Sequence, residues 1–228
     1  MTLTVVVADD HPVLLTGMQM LLAKDPDIVI AGLASNSSEL VDLLDATPVD
    51  VAVCDFTMPN GRHGDGVALL RFLQRRFPAL RLVVLTGMES PLVLRSIQSA
   101  GVGCIVSKSD PWQQLVPAVR AAQADAAFVS PEIRRLLAQA PDGVQQNAPA
   151  LSKRETEVLR MFAEGLTLME IAERVGRSRK TLSTQKMAAM RKLGLQRDAD
   201  IFDYALSHGL VQASQIGRTG TGSDGASG

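Results

Sequence analysis

Apolar residues in the first half of the chain fall into short consecutive runs separated by amphipathic stretches. The runs at 3–8, 28–33, 50–54, 81–86 and 103–107 are rich in Val, Ile and Leu. Uninterrupted apolarity of that length predicts strands covered on both faces. Between them, residues 12–24, 37–45, 66–77, 90–100 and 112–124 repeat at helical spacing, as Val13, Leu14, Met18, Leu21 and Leu22 do in the first. Five strands alternating with five helices predict an α/β fold: a doubly wound, five-stranded parallel sheet with helices on both sides. In such a sheet, ligands bind outside the carboxyl ends of the strands, so the residues that end the runs should converge.

The pattern changes after Pro131. Residues 132–138 suggest a helical turn or two, but Ala140-Pro141-Asp142-Gly143 and Gln145-Gln146-Asn147-Ala148-Pro149 are loop-forming sequences. From Ser152 to His208 the periodicity is helical throughout, which predicts a second, all-α domain of four helices. Ser152 with Glu155 three residues later spells a capping box at its start. The last residues, from Gly217, are Gly, Ser and Thr with hardly an apolar side chain, and disorder is expected. The expected division is therefore 1–125, a linker at 126–150, a helical domain at 151–211 and a tail at 212–228.

Charge separates the two halves. Residues 1–130 carry 9 Lys and Arg against 13 Asp and Glu, whereas residues 151–211 carry 11 against 8. An acidic front and a basic back imply different partners. Cys54 and Cys104 lie singly inside apolar runs, which argues against a disulfide framework or a zinc site. No apolar run approaches the ~20 residues that span a bilayer, and no leader pattern precedes the first strand. A cytoplasmic protein that does not engage membranes is expected.

The strand ends carry the chemistry. The first ends in Asp9-Asp10, the third in Asp55, the fourth in Thr86 and the fifth in Ser107-Lys108. One Asp at a strand end is ordinarily a turn or a cap, but four ends bearing acid, acid, hydroxyl and lysine are a constellation. Crowded carboxylates require a cation, and Mg²⁺ is usually held by one or two carboxylates together with phosphate oxygens. Lys108 and the Thr86 hydroxyl can each meet a phosphoryl oxygen. The set suits in-line attack of a carboxylate on phosphorus. His11, ahead of Pro12, reads as a cap or packing residue, and nothing supplies His63 with partners.

These residues, Asp9-Asp10-His11-Pro12, Asp55-Phe56-Thr57-Met58-Pro59, Thr86 and Lys108, make residues 1–125 resemble a response-regulator receiver domain. The resemblance implies phosphoryl transfer from the phosphohistidine of a partner kinase or phosphotransfer protein to Asp55. It also implies Mg²⁺ held by Asp10, Asp55 and the Thr57 carbonyl, with Asp9 acting largely through water. The chain departs from that pattern at three places. Ile105 stands where many receivers have an aromatic switch residue, Ser109 follows Lys108 instead of proline, and the loop at 60–66 is long.

The second domain has its own signature. Eight Lys or Arg and no acid occur from Arg174 to Arg197. By itself such a run is usually a solvated face. Here Leu168–Val175 reads as a short helix, Gly176-Arg177-Ser178 as a tight turn and Lys180–Leu193 as a second helix, a helix-turn-helix. Leu182, Ala189, Met190 and Leu193 share the inward face. Lys180, Thr184, Met187, Ala188 and Arg191 face outward with Ser183 at the edge, and Thr181, Ser183 and Thr184 offer hydroxyls to phosphates. Lys186 phases inward, with a stem long enough to reach a phosphate from the domain's edge.

Residues 151–210 resemble the helix-turn-helix domain of the LuxR-type (NarL/FixJ) class. The stretches that match are Leu151–Glu155, Val158-Leu159, Glu164-Gly165, Glu170-Ile171-Ala172, Ser178–Thr181 and Arg191–Gly194. The two resemblances imply a DNA-binding transcriptional regulator and not an enzyme, acting as a homodimer or with an auxiliary regulator. An aspartyl-phosphate phosphatase of the haloacid dehalogenase type is the enzymatic alternative. It takes its nucleophile from Asp-x-Asp on the first strand, whereas Asp9 and Asp10 are adjacent and point opposite ways. A constitutive DNA-binding protein whose receiver only docks partners is the other.

Overall fold

The computed structural model describes residues 2–139, 151–193, 195, 197–207 and 209–212. The chain forms two compact units that divide at residue 140. Residues 140–150 of the expected 126–150 linker, and the expected tail beyond Gln212, fall outside the described residues.

In the first unit, β1 (Leu3–Ala8), β2 (Ile28–Ala34), β3 (Val51–Asp55), β4 (Arg81–Thr86), β5 (Cys104–Ser107) and β6 (Phe128–Val129) make one sheet in the order β2-β1-β3-β4-β5-β6. Every pairing is parallel. The order reverses between β1 and β3, which puts a crevice beyond their carboxyl ends. Helices α1 (Pro12–Leu22), α2 (Ser37–Ala46), α3 (Gly66–Arg76), α4 (Pro91–Ser99) and α5 (Leu115–Gln123) connect the strands. Val5, Val7, Val51, Val53, Val83 and Leu85 are buried among Leu15, Met18 and Leu22 of α1 and Leu115 and Val119 of α5. The strands are apolar on both faces because helices cover both.

The sheet holds one strand more than the periodicity predicted, and part of the predicted linker is structured. β6 pairs with β5 through Cys104–Phe128 and Ile105–Val129, and α6 (Pro131–Ala138) follows it. A two-residue edge strand is too short to show alternation, and α6 buries only Ile133 and Leu136, so the sequence signal was weak.

The long loop at 60–66 is seated on the start of α2. The Arg62 and His63 N–H groups donate to the Ser38 and Ser37 hydroxyls at 2.8 and 3.3 Å. Gly61 approaches so closely that a Cβ there would lie 2.0 Å from the Ser37 Oγ, so only glycine fits.

The second unit contains α7 (Lys153–Ala163), α8 (Leu168–Val175), α9 (Arg179–Leu193) and α10 (Asp198–Ser207). Ser152 and Glu155 form the predicted capping box on α7, and Thr167 and Glu170 form a second on α8. Gly176 ends α8 in the left-handed region at φ 63°, turning the chain into α9. Val158, Met161, Ile171, Ala172 and Leu182 pack α7, α8 and α9 together. Leu159, Ala189, Met190, Leu193 and Ile201 join α7 and α9 to α10.

Glu155 also links α7 to α9. Its carboxylate lies 2.7 Å from the Lys192 ammonium. Lys192, and then Ser152, hold its pKa down at about 2. An unfolded glutamate titrates at ~4.3, so the folded form binds fewer protons below that value. The stabilisation is complete above it and is lost as the pH falls toward 2. Glu155→Gln should lower the melting temperature of this unit at neutral pH, with a gap to wild type that closes across that acid range. Helical ellipticity followed on heating at several pH values measures this.

Candidate functional site

The carboxyl ends of β1, β3, β4 and β5 bring Asp9, Asp55, Thr86 and Lys108 together, as the sequence placed them. Asp55 ends β3 and is 3% exposed, and Asp9, directly after β1, is fully buried. The Lys108 Nζ stands 2.8 Å from Oδ2 of Asp9 and 2.8 Å from Oδ2 of Asp55. Asp10 is more open, and the His11 Nδ1 lies 2.8 Å from its Oδ1 and 3.1 Å from the Asp9 Oδ1. Thr86 is buried, its Oγ1 accepting from the Met88 N–H at 2.9 Å.

Burial drives the electrostatics. It pushes Asp55 up to about 6 against the pull of Lys108, with the Asp9 charge adding to the rise and the Thr57 N–H opposing it. Burial would pull Lys108 down, but the Asp55 and Asp9 carboxylates outweigh it and hold the ammonium above its ordinary range. Two buried carboxylates thus share one ammonium, and the third acid, Asp10, faces His11. Donor atoms of Asp9, Asp10, His11 and Asp55 all lie within 4.8 Å of one another, an acidic cluster compatible with Mg²⁺. His11, expected to cap or pack, joins the acidic cluster instead. It is the N-cap residue of α1 but caps nothing with its ring, which turns to the two acids. Its adjacency to Asp9-Asp10 was the available signal. His63 stacks on Phe72 at 4.6 Å, a structural role, and Ile105 is fully buried in β5.

In the second unit, Lys180, Ser183, Thr184, Met187 and Arg191 are exposed along α9. Met187, at 54% exposure, is the one large apolar side chain among them. Thr181 is half-buried, its hydroxyl 2.8 Å from that of Ser178. Lys186 departs from its expected reach toward a phosphate. Only 7% exposed, its Nζ lies 2.7 Å from Asp198 and 3.8 Å from the centroid of the Phe162 ring. The inward phase of the helix commits that charge to partners within its own domain.

Residues 5–120 match the family described as response regulator receiver domain, and residues 149–205 match the bacterial regulatory proteins of the luxR family. The chain is 34% identical over 213 residues to the transcriptional regulatory protein RcsB of Escherichia coli K12, covering 93% of this chain and 98% of that protein. It belongs to the response-regulator family, with a LuxR-type DNA-binding domain.

The regulator is also similar to the fimbriae Z protein of Salmonella typhimurium, at 29% identity over 91% of this chain and 98% of that one. Among solved structures, RcsB of Salmonella enterica serovar Typhimurium, bound to a promoter in the presence of the phosphomimetic BeF3−, matches with a TM-score of 0.72. That match has 34% identity and covers 91% of this chain and all of the other. An RcsB–DNA complex matches with a TM-score of 0.67 and covers 91% of this chain and 99% of that one. The regulator is a DNA-binding transcriptional response regulator of a two-component system.

The raised Asp55 carries a stability consequence. Its folded value of about 6 exceeds that of an unfolded aspartate, ~3.9, so the folded state binds more protons between the two and loses stability as pH rises through that window. Asp55→Asn should flatten that dependence. Without divalent cations at neutral pH it should raise stability by about 1–3 kcal/mol, at 1.36 kcal/mol per pKa unit. Added Mg²⁺ should raise the wild-type melting temperature more than the variant's. Thermal unfolding with and without Mg²⁺ measures both.

Proposed function

We propose that phosphoryl transfer to Asp55 switches this regulator and that α9 is its DNA-reading element. The observation that carries the first part is the buried Asp55 carboxylate with its Oδ2 2.8 Å from Lys108, beside Asp9 and Asp10. One Asp55 oxygen attacks the phosphorus of a phosphohistidine on a partner kinase or phosphotransfer protein. The new O–P bond forms as the P–N bond breaks, and the electron pair leaves with the imidazole. Lys108 meets one phosphoryl oxygen, and Thr86, at the end of β4, donates to another. Asp9, Asp10, Asp55 and the Thr57 carbonyl would hold Mg²⁺, which supplies positive charge against the phosphoryl oxygens. Lys108 alone leaves the three acids undercompensated, and this supports the assignment.

On α9, Lys180 and Arg191 supply charge to the DNA backbone, and Thr181, Ser183 and Thr184 supply hydroxyls. Met187 gives an apolar contact in the groove. Lys186 positions the helix from inside through Asp198 and Phe162. We take residues 140–150 as the linker and 151–211 as the DNA-binding domain, with the receiver extending through α6. No described helix is long and apolar enough to cross a membrane, and the DNA-binding reading supports a cytoplasmic protein.

RcsB forms dimers on DNA, and a dimer would bind two half-sites through effective concentration without new base contacts. Phosphorylation should therefore move this chain from monomer toward dimer. The buried Ile105 favours a second reading, in which the receiver docks a partner, including an auxiliary regulator, and DNA binding does not require the phosphoryl group.

With a small acyl-phosphate donor and Mg²⁺, intact mass should show one phosphoryl group on the wild type and none on Asp55→Asn. Sedimentation with BeF3− and Mg²⁺ should show a shift toward dimer. Unchanged mass in sedimentation while Asp55 is occupied would select the docking reading.

Lys180→Ala should weaken DNA binding at many sequences alike. The slope of log affinity against log salt should fall by about 0.9, the contribution of one neutralised phosphate. An unchanged slope in a salt titration would remove Lys180 from the backbone contacts.

A further inference from the structure

The segment that carries Lys108 is fastened at both ends to the start of α6. On the near side, the Ser107 N–H donates to the Ser130 hydroxyl at 3.0 Å, and the Ser130 N–H donates to the Ile105 carbonyl at 3.1 Å. β6 has ended at Val129, and Pro131 turns the chain into a helix. The Ser130 hydroxyl therefore stands in for the carbonyl that a longer strand would have offered to Ser107. On the far side, the Asp110 carboxylate accepts from the Glu132 N–H at 3.1 Å. Ser130 is the N-cap residue of α6, yet its side chain makes no capping bond. Its hydroxyl serves β5 and the free N–H of the helix is met by Asp110, so each element completes the other's unsatisfied groups.

Within this bracket the Lys108 N–H donates to the Thr86 carbonyl at 2.8 Å, the Ser109 N–H to the Ser107 hydroxyl at 3.1 Å, and the Asp110 N–H to the Ser107 carbonyl at 3.1 Å. The turn from Ser107 to Asp110 is thus a bonded unit that connects the ammonium between Asp9 and Asp55 to the first turn of α6. α6 packs on α4 and β5, buries Ile133 and Leu136, and is the last described element before α7.

We propose that Ser130 and Asp110 are positioning residues that couple the Lys108 turn to α6, so that a change in what the ammonium contacts is passed to the helix that leads out of the receiver. The inference rests on the reading that Asp55 takes a phosphoryl group. That group places its oxygens beyond the carboxylate, and Lys108 must leave the Asp55 oxygen to follow them. The turn moves with the lysine, and the hydrogen bonds at Ser130 and Asp110 pull on α6. No rotating ring is needed, which suits a β5 that holds a buried isoleucine at position 105.

Hydrogen exchange on the full chain, with and without BeF3− and Mg²⁺, tests this. In the wild type, amides around Thr86 and Lys108 and amides of α6 should both change rate several-fold on addition of BeF3−. In Ser130→Ala and in Asp110→Ala, the pocket amides should still respond while α6 does not. Ser130→Thr and Asp110→Asn, which keep the hydrogen-bonding oxygen, should restore the α6 response. A merely structural cap would alter the basal exchange of α6 but leave its response to BeF3− intact, and that result overturns the proposal. So does a wild type whose pocket responds while α6 does not. If the wild-type pocket itself fails to respond, the phosphoacceptor reading falls, and the coupling falls with it.

Discussion

The lysine between two buried carboxylates is the interaction on which the first unit turns. Burying Asp9 and Asp55 at the ends of neighbouring strands costs solvation that the apolar surroundings do not return. One ammonium 2.8 Å from each keeps the arrangement together, and burial still leaves Asp55 at about 6. The sheet topology imposes that crowding. A reversal of strand order between β1 and β3 sets their carboxyl ends around one crevice, and the β4 and β5 ends complete its wall. A site built this way is left short of positive charge, and the shortage is what makes its acidic cluster compatible with a cation.

Much of this was legible in the chain because the signals were local and repeated. β1 and β4 fall on the predicted residues, since a strand covered on both faces must be apolar at consecutive positions. The Ser152–Glu155 box and the α8 boundaries were equally plain, because caps are written in specific residue types. β6 was not legible, and α6 only as a helical turn or two at 132–138. Two residues show no alternation, and the bonds that hold this segment, Ser130 to Ser107 and Glu132 to Asp110, join positions 22 or 23 apart in sequence. The His11 ring is the same kind of case, since only the fold shows that it turns to Asp9 and Asp10 and away from its own helix.

Lys186 shows how helix phase overrides charge. Among the basic residues of α9 it is set apart by lying on the stripe of Leu182, Ala189, Met190 and Leu193. An ammonium on that stripe must find partners inside, and it has Asp198 at the start of α10 and the Phe162 face of α7. The pair fastens α9 to α7 and α10. Removing Lys186 would therefore be a poor probe of DNA contact, because it would disturb the support of every outward residue at once. Lys180 and Arg191 lie on the exposed face and do not confound the two effects.

The same logic of shared hydrogen-bonding groups governs the C-terminal edge of the receiver. An edge strand normally leaves one row of backbone groups to solvent. Here the added strand is as short as a strand can be, and a helix begins immediately after it, so β5 would lose its last partner at Ser107. A serine at position 130 solves this with a side chain, and Asp110 returns the favour to the helix. The arrangement ties the edge of the sheet to α6 more tightly than packing alone would, and it does so beside the lysine. Packing of Ile133 and Leu136 alone would let α6 slide on α4 with little penalty. Directional bonds to the Lys108 turn allow only positions that keep both partners satisfied. A displacement of that turn therefore has to be followed by the helix or be met by the loss of a buried hydrogen bond.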